Sequence, residues 1–158
     1  NNGSGKTSLL RILAGLRNSS QGWIRAQPLF YCGHQIGLKS LWTVEQNLLF
    51  RLALYNQPIL LTKETIAWLK KLHLYQLLPY KVSCLSRGQQ QQIALLTGLL
   101  SPYKLWLLDE PFTHLDTKAF DQWRAIIKNF CNRGGGVVYV QHHNLQLSPQ
   151  DLSLDLTG

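Results

Sequence analysis

Hydrophobic residues along the chain follow two alternating spacings, and this alternation predicts an α/β sheet rather than a helical bundle. Short apolar runs predict buried strands over residues 29–33, 105–108 and 137–140. Helical spacing appears at Leu9, Leu13 and Leu16, directly after a glycine-rich start. A further helix is predicted after a capping Asp116; it carries Phe120, Trp123, Ile127 and Phe130 on one face and ends at Gly134 and Gly135.

The middle of the chain, about residues 36–85, is predicted to be helical and interrupts the strand pattern. Two of the three helices predicted from here onward open with a capping box, a hydroxyl residue followed three positions later by glutamine. They cover about residues 43–54 (box Thr43 and Gln46), 62–74, and 86–100 (box Ser86 and Gln89). We therefore expect an inserted helical subdomain, which spans about residues 36–100 when the third helix is included.

The composition is basic, with 16 Lys and Arg against 8 Asp and Glu and a formal net charge of +8. Such a balance is typical of proteins that meet nucleic acid, an acidic membrane surface or phosphate ligands. Here the basic residues are scattered, with no dense stripe and no interleaved aromatic platform. We interpret them as surface charges and do not expect nucleic acid as a partner.

Other compositional features bound the setting of the protein. No apolar run approaches the ~18 residues that cross a bilayer, and no secretory leader is recognisable, so a membrane role is expected to need a partner subunit. Three cysteines, an odd number without metal-ligand spacing, predict buried reduced thiols. The chain has no methionine and begins inside a motif, which we interpret as a piece of a longer protein.

Residues 1–8 read NNGSGKTS and match all but the first glycine of the phosphate-binding loop pattern G-x-x-x-x-G-K-[ST]. In such a loop, backbone N–H groups and the start of the following helix face the phosphates. Lys6 is expected to reach the β- and γ-phosphates, and Thr7 to hold magnesium. The predicted nucleotide-binding residues of this loop are Asn2, Gly3, Ser4, Gly5, Lys6, Thr7 and Ser8. The alternative is an ordinary glycine turn before a helix.

Two acids follow the predicted strand at residues 105–108. Asp109 fits the magnesium-linked carboxylate that phosphate-loop enzymes place at a strand end, and Glu110 fits the general base that polarises the attacking water. The alternative is a pair of solvated acids. Asp109, Glu110 and Asp116 are three of only eight acids in the chain and cluster around a Pro-Phe turn, which favours the catalytic interpretation.

Residues 85–89 read LSRGQ, and here the chain closely resembles the ABC ATPase family, whose signature reads LSGGQ. Ser86 precedes Asp109 by 109 − 86 = 23 positions, a separation characteristic of that family. A serine-capped helix start followed by a glycine is also an anion site on physical grounds. An ordinary capped helix would explain Ser86 and Gln89 but not the accompanying motifs.

Further family motifs occur in order. Gln35 resembles the Q-loop glutamine that touches magnesium, residues 113–116 (THLD) resemble the D-loop that contains Asp116, and His143 resembles the switch histidine that contacts the γ-phosphate. His142 is a conceivable substitute. The resemblance implies catalytic roles for Glu110 and His143, a magnesium site at Thr7, Gln35 and Asp109, and nucleotide contacts from Gln35, Ser86, Arg87, Gly88, Gln89 and Asp116.

The implied fold is a phosphate-loop NTPase core with a RecA-like sheet, an inserted helical subdomain and a missing N-terminal β part, so that residues 1–158 form a partial ABC nucleotide-binding domain. The implied ligands are ATP and Mg²⁺. Two copies are expected to hold ATP between them, one contributing the phosphate loop and the other Ser86 and Gly88. Two departures, Arg87 for the first signature glycine and Thr97 where many relatives carry arginine, bear on the rate.

Smaller motifs favour one subfamily, the ATP-binding subunits of haem exporters in cytochrome c biogenesis. Residues 32–39 (CGHQIGLK) resemble its G-H-Q-x-G-[IL]-K, and Gln90 extends the signature as its L-S-A-G-Q-Q does. The partners implied are a second such subunit and integral membrane subunits, on the cytoplasmic face of a bacterial inner membrane or the matrix face of a mitochondrial one. The alternatives are a subunit that exports another substrate, a soluble ABC ATPase acting on nucleic acid, and a module that binds ATP without hydrolysing it.

Overall fold

The computed structural model describes residues 5–25 and 27–141. Its centre is a three-stranded parallel sheet in the order β1-β2-β3, formed by Phe30–Cys32, Leu105–Asp109 and Gly136–Val140. Cys32 pairs with Leu108, and Asp109 pairs with Val140. The chain therefore leaves all three strands at one edge of the sheet, the edge at which ligands bind in open parallel sheets.

Five α-helices accompany the strands in the described part of the chain. They are α1 (Lys6–Leu13), α2 (Val44–Leu54), α3 (Lys63–Lys71), α4 (Arg87–Leu99) and α5 (Thr117–Asn132). Helix α1 packs against β2, α4 against β1 and α5 against β3, as expected when helices cover a parallel sheet. None of them combines the length and the apolar character needed to cross a bilayer.

The main hydrophobic core lies between the sheet and helices α4 and α5. Trp106 is fully buried there, stacked on Phe130 with ring centroids 4.2 Å apart and edge-on to Phe30 at 5.9 Å. Leu107 is also buried but lies outside this cluster, because successive strand residues point to opposite faces. The face of β2 that carries Leu107 is the one available to α1.

The helical segment between β1 and α4 is closed at its two ends by backbone hydrogen bonds. Val44 N donates to Tyr80 O at 3.0 Å, Val82 N to Trp42 O at 3.0 Å, and Ser83 N to Ser40 O at 2.9 Å. Residues 40–44 and 80–83, which we call the neck, therefore lie side by side. Within the segment, two single 3-10 turns, Tyr75–Leu77 and Val82–Cys84, follow α3.

The predicted elements agree with this architecture, and both capping boxes form as predicted. The Thr43 hydroxyl accepts from Gln46 N while the Gln46 side chain accepts from Thr43 N, and Ser86 with Gln89 repeats the arrangement. Asp116 caps α5 by accepting from Ala119 N at 2.8 Å.

Three structural predictions were wrong. Helix α1 ends at Leu13, so Leu16 lies beyond the helix and is exposed. Helix α3 ends at Lys71 rather than near Leu74, because His73 adopts a left-handed conformation (φ 56°) in a Schellman turn: His73 N donates to Lys70 O, and Leu74 N donates to Leu69 O. All three cysteines are reduced thiols, but only Cys32 is buried; Cys84 and Cys131 are exposed. Cys84 is exposed in the 3-10 turn before α4, and Cys131 in the last turn of α5.

Candidate functional site: the carboxyl edge of the sheet

The predicted phosphate loop and the predicted strand-end acid meet at the carboxyl edge of β2. Thr7, in the first turn of α1, donates a hydrogen bond from Oγ1 to Asp109 Oδ1 at 3.2 Å. The two residues are 102 positions apart in sequence, and Asp109 is only 5% exposed. Gly5 precedes the helix with φ 78°, a conformation that glycine adopts without strain. The fold thus brings together a hydroxyl and a buried carboxylate from two separate motifs.

Glu110 follows directly, and its backbone is held in an uncommon conformation. Its φ of 52° is in the left-handed region, which costs free energy for a side chain other than glycine and which clusters at functional sites. Glu110 N donates to Val140 O at 2.9 Å, which ties this turn to the end of β3. Thr113 Oγ1 donates to Glu110 Oε2 at 3.1 Å and so orients the carboxylate.

The signature residues and the D-loop line one cleft of about 650 Å³. Helix α4 begins there behind its cap Ser86, and α5 begins there behind its cap Asp116. The two helix starts approach closely at Gly88, where an added Cβ would lie 2.5 Å from the backbone oxygen of His114. Arg87 lines the same cleft with its side chain exposed. Two helix N-termini facing one cleft make it attractive to anions.

Gln90 positions the backbone before the signature serine, whereas the sequence patterns indicated it only as a feature of the subfamily. Its Nε2 donates to Val82 O and to Leu85 O, each at 3.0 Å, and so fixes the backbone just before the signature serine. The sequence did place Gln90 in the first turn of a capped helix, where its side chain could reach the backbone before the helix. Which carbonyls it would meet depended on the 3-10 turn before it.

The remaining predicted residues lie around the same edge or outside the described part of the chain. Gln35 is exposed in the loop that follows β1 at the carboxyl edge, and Ser8 lies half-buried on α1. Gln89 is engaged in the capping box with Ser86. The predictions for Asn2, Gly3, Ser4, His142 and His143 fall outside the described residues.

Cys32 lies beneath the site at the end of β1. Burial raises the pKa of its thiol from 9.0 to about 12; the nearby Arg51 guanidinium lowers it and the Asp109 carboxylate raises it by smaller amounts. A thiol with so high a pKa stays protonated and unreactive at neutral pH. Cys32 is therefore a packing residue and not a nucleophile of this site.

The Thr7 hydroxyl and the Asp109 carboxylate are suitable ligands for Mg²⁺, but they are too few to form a metal site from protein ligands alone. In the described residues no group of three or more His, Cys, Asp or Glu side chains is arranged to hold a metal ion. Mg²⁺ does not need such a group of protein ligands, because it is usually bound by one or two carboxylates together with substrate phosphates and water. A hydroxyl and a buried carboxylate 3.2 Å apart supply hard oxygen donors of this kind.

Comparison with known proteins agrees with this geometry. Residues 1–113 match the family described as ABC transporter. The curated Cytochrome c biogenesis ATP-binding export protein CcmA of Pseudomonas putida is 40% identical over 162 aligned positions, which cover 94% of this chain and 76% of the relative.

Solved structures show the same fold. The dimeric post-hydrolysis ATP-binding cassette MJ0796 bound to ADP and Pi matches with a TM-score of 0.77 at 24% identity, over 90% of this chain and 72% of that one. A structure of RNase-L Inhibitor matches with a TM-score of 0.71 at 26% identity, over 87% of this chain but only 27% of that one. The protein belongs to the ABC transporter ATP-binding family and, within it, to the CcmA family of cytochrome c biogenesis ATP-binding export proteins, and it is an ATPase of the ABC type.

Proposed function

We propose that this chain binds Mg·ATP at the carboxyl edge of its sheet and hydrolyses it as the ATPase subunit of a cytochrome c biogenesis exporter. The observation that carries the proposal is the hydrogen bond between Thr7 and Asp109, 3.2 Å long and 102 positions apart in sequence. It joins a phosphate loop to a strand-end carboxylate, the two parts that phosphate-loop ATPases use to hold nucleotide and magnesium.

Residues 2–8 of the phosphate-loop motif would bind the phosphates, with Lys6 reaching the β- and γ-phosphates. Thr7, Asp109 and Gln35 would hold Mg²⁺, which when bound neutralises charge on the phosphate oxygens. The burial of Asp109 supports this role, because a carboxylate removed from water interacts more strongly with a cation than an exposed one does.

Glu110 accepts a proton from the attacking water as general base. Its carboxylate is oriented by the Thr113 hydroxyl, and its backbone is tied to β3. His143 follows β3 by three positions in sequence, and we assign it the contact to the γ-phosphate that the family resemblance implies.

A second copy completes the site. Helices α4 and α5 both begin at the cleft that contains Ser86, Arg87 and Gly88, and this cleft suits the γ-phosphate held by the opposite copy. Arg87 adds a guanidinium there in place of the usual glycine, and Asp116 belongs to the adjoining segment. Two copies therefore enclose ATP between a phosphate loop and a signature helix.

The helical segment of about residues 36–85 is the part of this subunit that meets integral membrane subunits. Trp42 and Phe50 support this assignment, since they form an edge-on aromatic pair at 5.4 Å while remaining 40% and 36% exposed. The subunit is then peripheral on the cytoplasmic face of a bacterial inner membrane or the matrix face of a mitochondrial one. The exported molecule is haem, by analogy with cytochrome c biogenesis.

The decisive experiment replaces Glu110 by Gln in the full-length protein. Glu110→Gln removes the proton acceptor and keeps the shape, so steady-state hydrolysis should fall by about 100-fold or more while ATP binding persists and a dimer accumulates with ATP. Phosphate release and size-exclusion chromatography measure the two effects. Glu64→Gln, at an exposed position in the first turn of α3, is the matched control and should hydrolyse ATP at the wild-type rate. Wild-type turnover in Glu110→Gln would refute the assignment.

A further inference from the structure

The loop that follows Gln35 is fastened to helix α2 by two polar side chains one helical turn apart. Asn47 is only 2% exposed, yet it lies on the face of α2 that carries Val44 and Leu48 into the core. Arg51 follows it by four positions and therefore lies on the same face of the helix. Neither residue belongs to a motif used above.

Asn47 makes three hydrogen bonds with the backbone of this loop. Its Oδ1 accepts from Lys39 N at 2.7 Å, and its Nδ2 donates to Lys39 O at 3.1 Å and to Thr43 O at 2.9 Å. The first two bonds engage both the backbone N–H and the backbone C=O of Lys39. Lys39 therefore cannot move relative to α2 without breaking them. A buried amide that lost these partners would be costly, which keeps the arrangement rigid.

Arg51 holds the same loop closer to Gln35. Its Nη2 donates to Gly37 O at 2.9 Å. Gly37 has φ 68°, and a Cβ there would lie 2.5 Å from the same nitrogen, so a glycine is needed both for the turn and for the approach of the guanidinium. Helix α2 thus fixes the chain two residues after Gln35.

The chain before Gln35 is fixed by the sheet. Cys32 is buried and pairs with Leu108 in β2, next to Asp109. Only residues 33–36 therefore lie between a point fixed to the sheet and a point fixed to α2. The five steps from Cys32 to Gly37 reach at most about 18 Å when fully extended, so a displacement of α2 relative to the sheet must be taken up by this short span.

We propose that Asn47 and Arg51 are positioning residues that set the place of Gln35 at the nucleotide site according to the position of α2. The proposal rests on the proposed function, in which Gln35 contacts magnesium. Neither residue is among those that we assign to the nucleotide or to magnesium. Their effect on hydrolysis passes through Gln35, and loss of either leaves the nucleotide-binding loop itself intact.

A double-mutant cycle on the full-length protein tests this inference. Arg51→Met keeps much of the side-chain stem and removes the donors at an exposed hydrogen bond, so it should fold normally. We expect kcat for ATP hydrolysis to fall roughly 10-fold, with KM for ATP nearly unchanged, because misplacement of a reacting group slows the chemical step. In a Gln35→Ala background, Arg51→Met should have no further effect on kcat, because the side chain through which Arg51 acts has been removed.

Two further variants complete the design. Lys63→Met removes a cation from the exposed first turn of α3 and should leave kcat unchanged in both backgrounds. Asn47→Ser should reproduce Arg51→Met once thermal melting confirms that it folds. The inference would be overturned if Arg51→Met lowered kcat by the same factor in the wild-type and Gln35→Ala backgrounds. It would also be overturned if Arg51→Met left kcat unchanged, or if Gln35→Ala alone left kcat unchanged. Glu110→Gln tests the proposed function separately, so failure of one does not imply failure of the other.

Discussion

Gly88 allows the signature helix to touch the D-loop, and replacing it by alanine tests that contact. The added Cβ would lie 2.5 Å from His114 O, whereas ordinary contact begins at 3.4 Å, so the two backbones must separate by 3.4 − 2.5 = 0.9 Å. The atom in the way is backbone and cannot rotate aside. Overpacking of this kind costs about 1–3 kcal/mol.

At this chain length 1 kcal/mol corresponds to about 2–4 °C, so the melting temperature of Gly88→Ala should fall by roughly 4–8 °C for a cost in the middle of that range. Hydrolysis should fall by about 10-fold, because the signature residues and the D-loop line the same cleft and would separate. Differential scanning fluorimetry and phosphate release measure the two quantities.

Gly136→Ala is the matched control. There the added Cβ would meet Leu105 Cδ1 at 3.5 Å, an ordinary contact, so both quantities should stay at the wild-type values. If Gly88→Ala melted and hydrolysed ATP like the control, the close approach of α4 to His114 would be refuted.

The remaining predictions concern the phosphate loop and the buried thiol. Lys6→Ala should weaken ATP binding by about 10- to 100-fold, the worth of a charge-assisted hydrogen bond, in a titration with fluorescent nucleotide; unchanged affinity, matching that of Lys63→Ala, would contradict the loop assignment. Iodoacetamide at pH 8 should label the exposed Cys84 and Cys131 in the folded protein and spare Cys32, because Cys32 is buried and its pKa of about 12 keeps its thiol protonated at that pH; peptide mass spectrometry reports the sites. Because the folded pKa of Cys32 is raised, its contribution to stability is complete below pH 9 and is lost as the pH rises towards 12; in urea titrations Cys32→Ala should lose less stability than wild type across that range.

Local sequence signals predicted most of the fold because the determining interactions are local. Both capping boxes, the cap at Asp116 and the apolar strand at residues 105–108 each depend on side chains within a few positions of the element they define. The end of α3 was missed because its Schellman turn uses His73, where glycine is the usual sign. Nothing in the sequence singled out this histidine for a positive φ.

The meeting of Thr7 with Asp109 was predictable only through motif order, since no periodicity links residues 102 positions apart. The left-handed backbone of Glu110 and its hydrogen bond with Thr113 depend on how the turn after β2 meets β3, and no pattern indicated them. Asn47 did carry a signal, an amide at a core-facing position of a helix, because such a group must find partners. Which backbone it would hold followed only from the path of the loop.

The neck at residues 40–44 and 80–83 has a consequence for how this architecture can diversify. Because the chain enters and leaves the helical segment through two adjacent stretches bonded to each other, the intervening helices can be lengthened, shortened or exchanged without altering the register of the sheet. A chimaera cut at these two stretches would therefore take helices α2 and α3 from one parent and keep the sheet and helix α4 of the other.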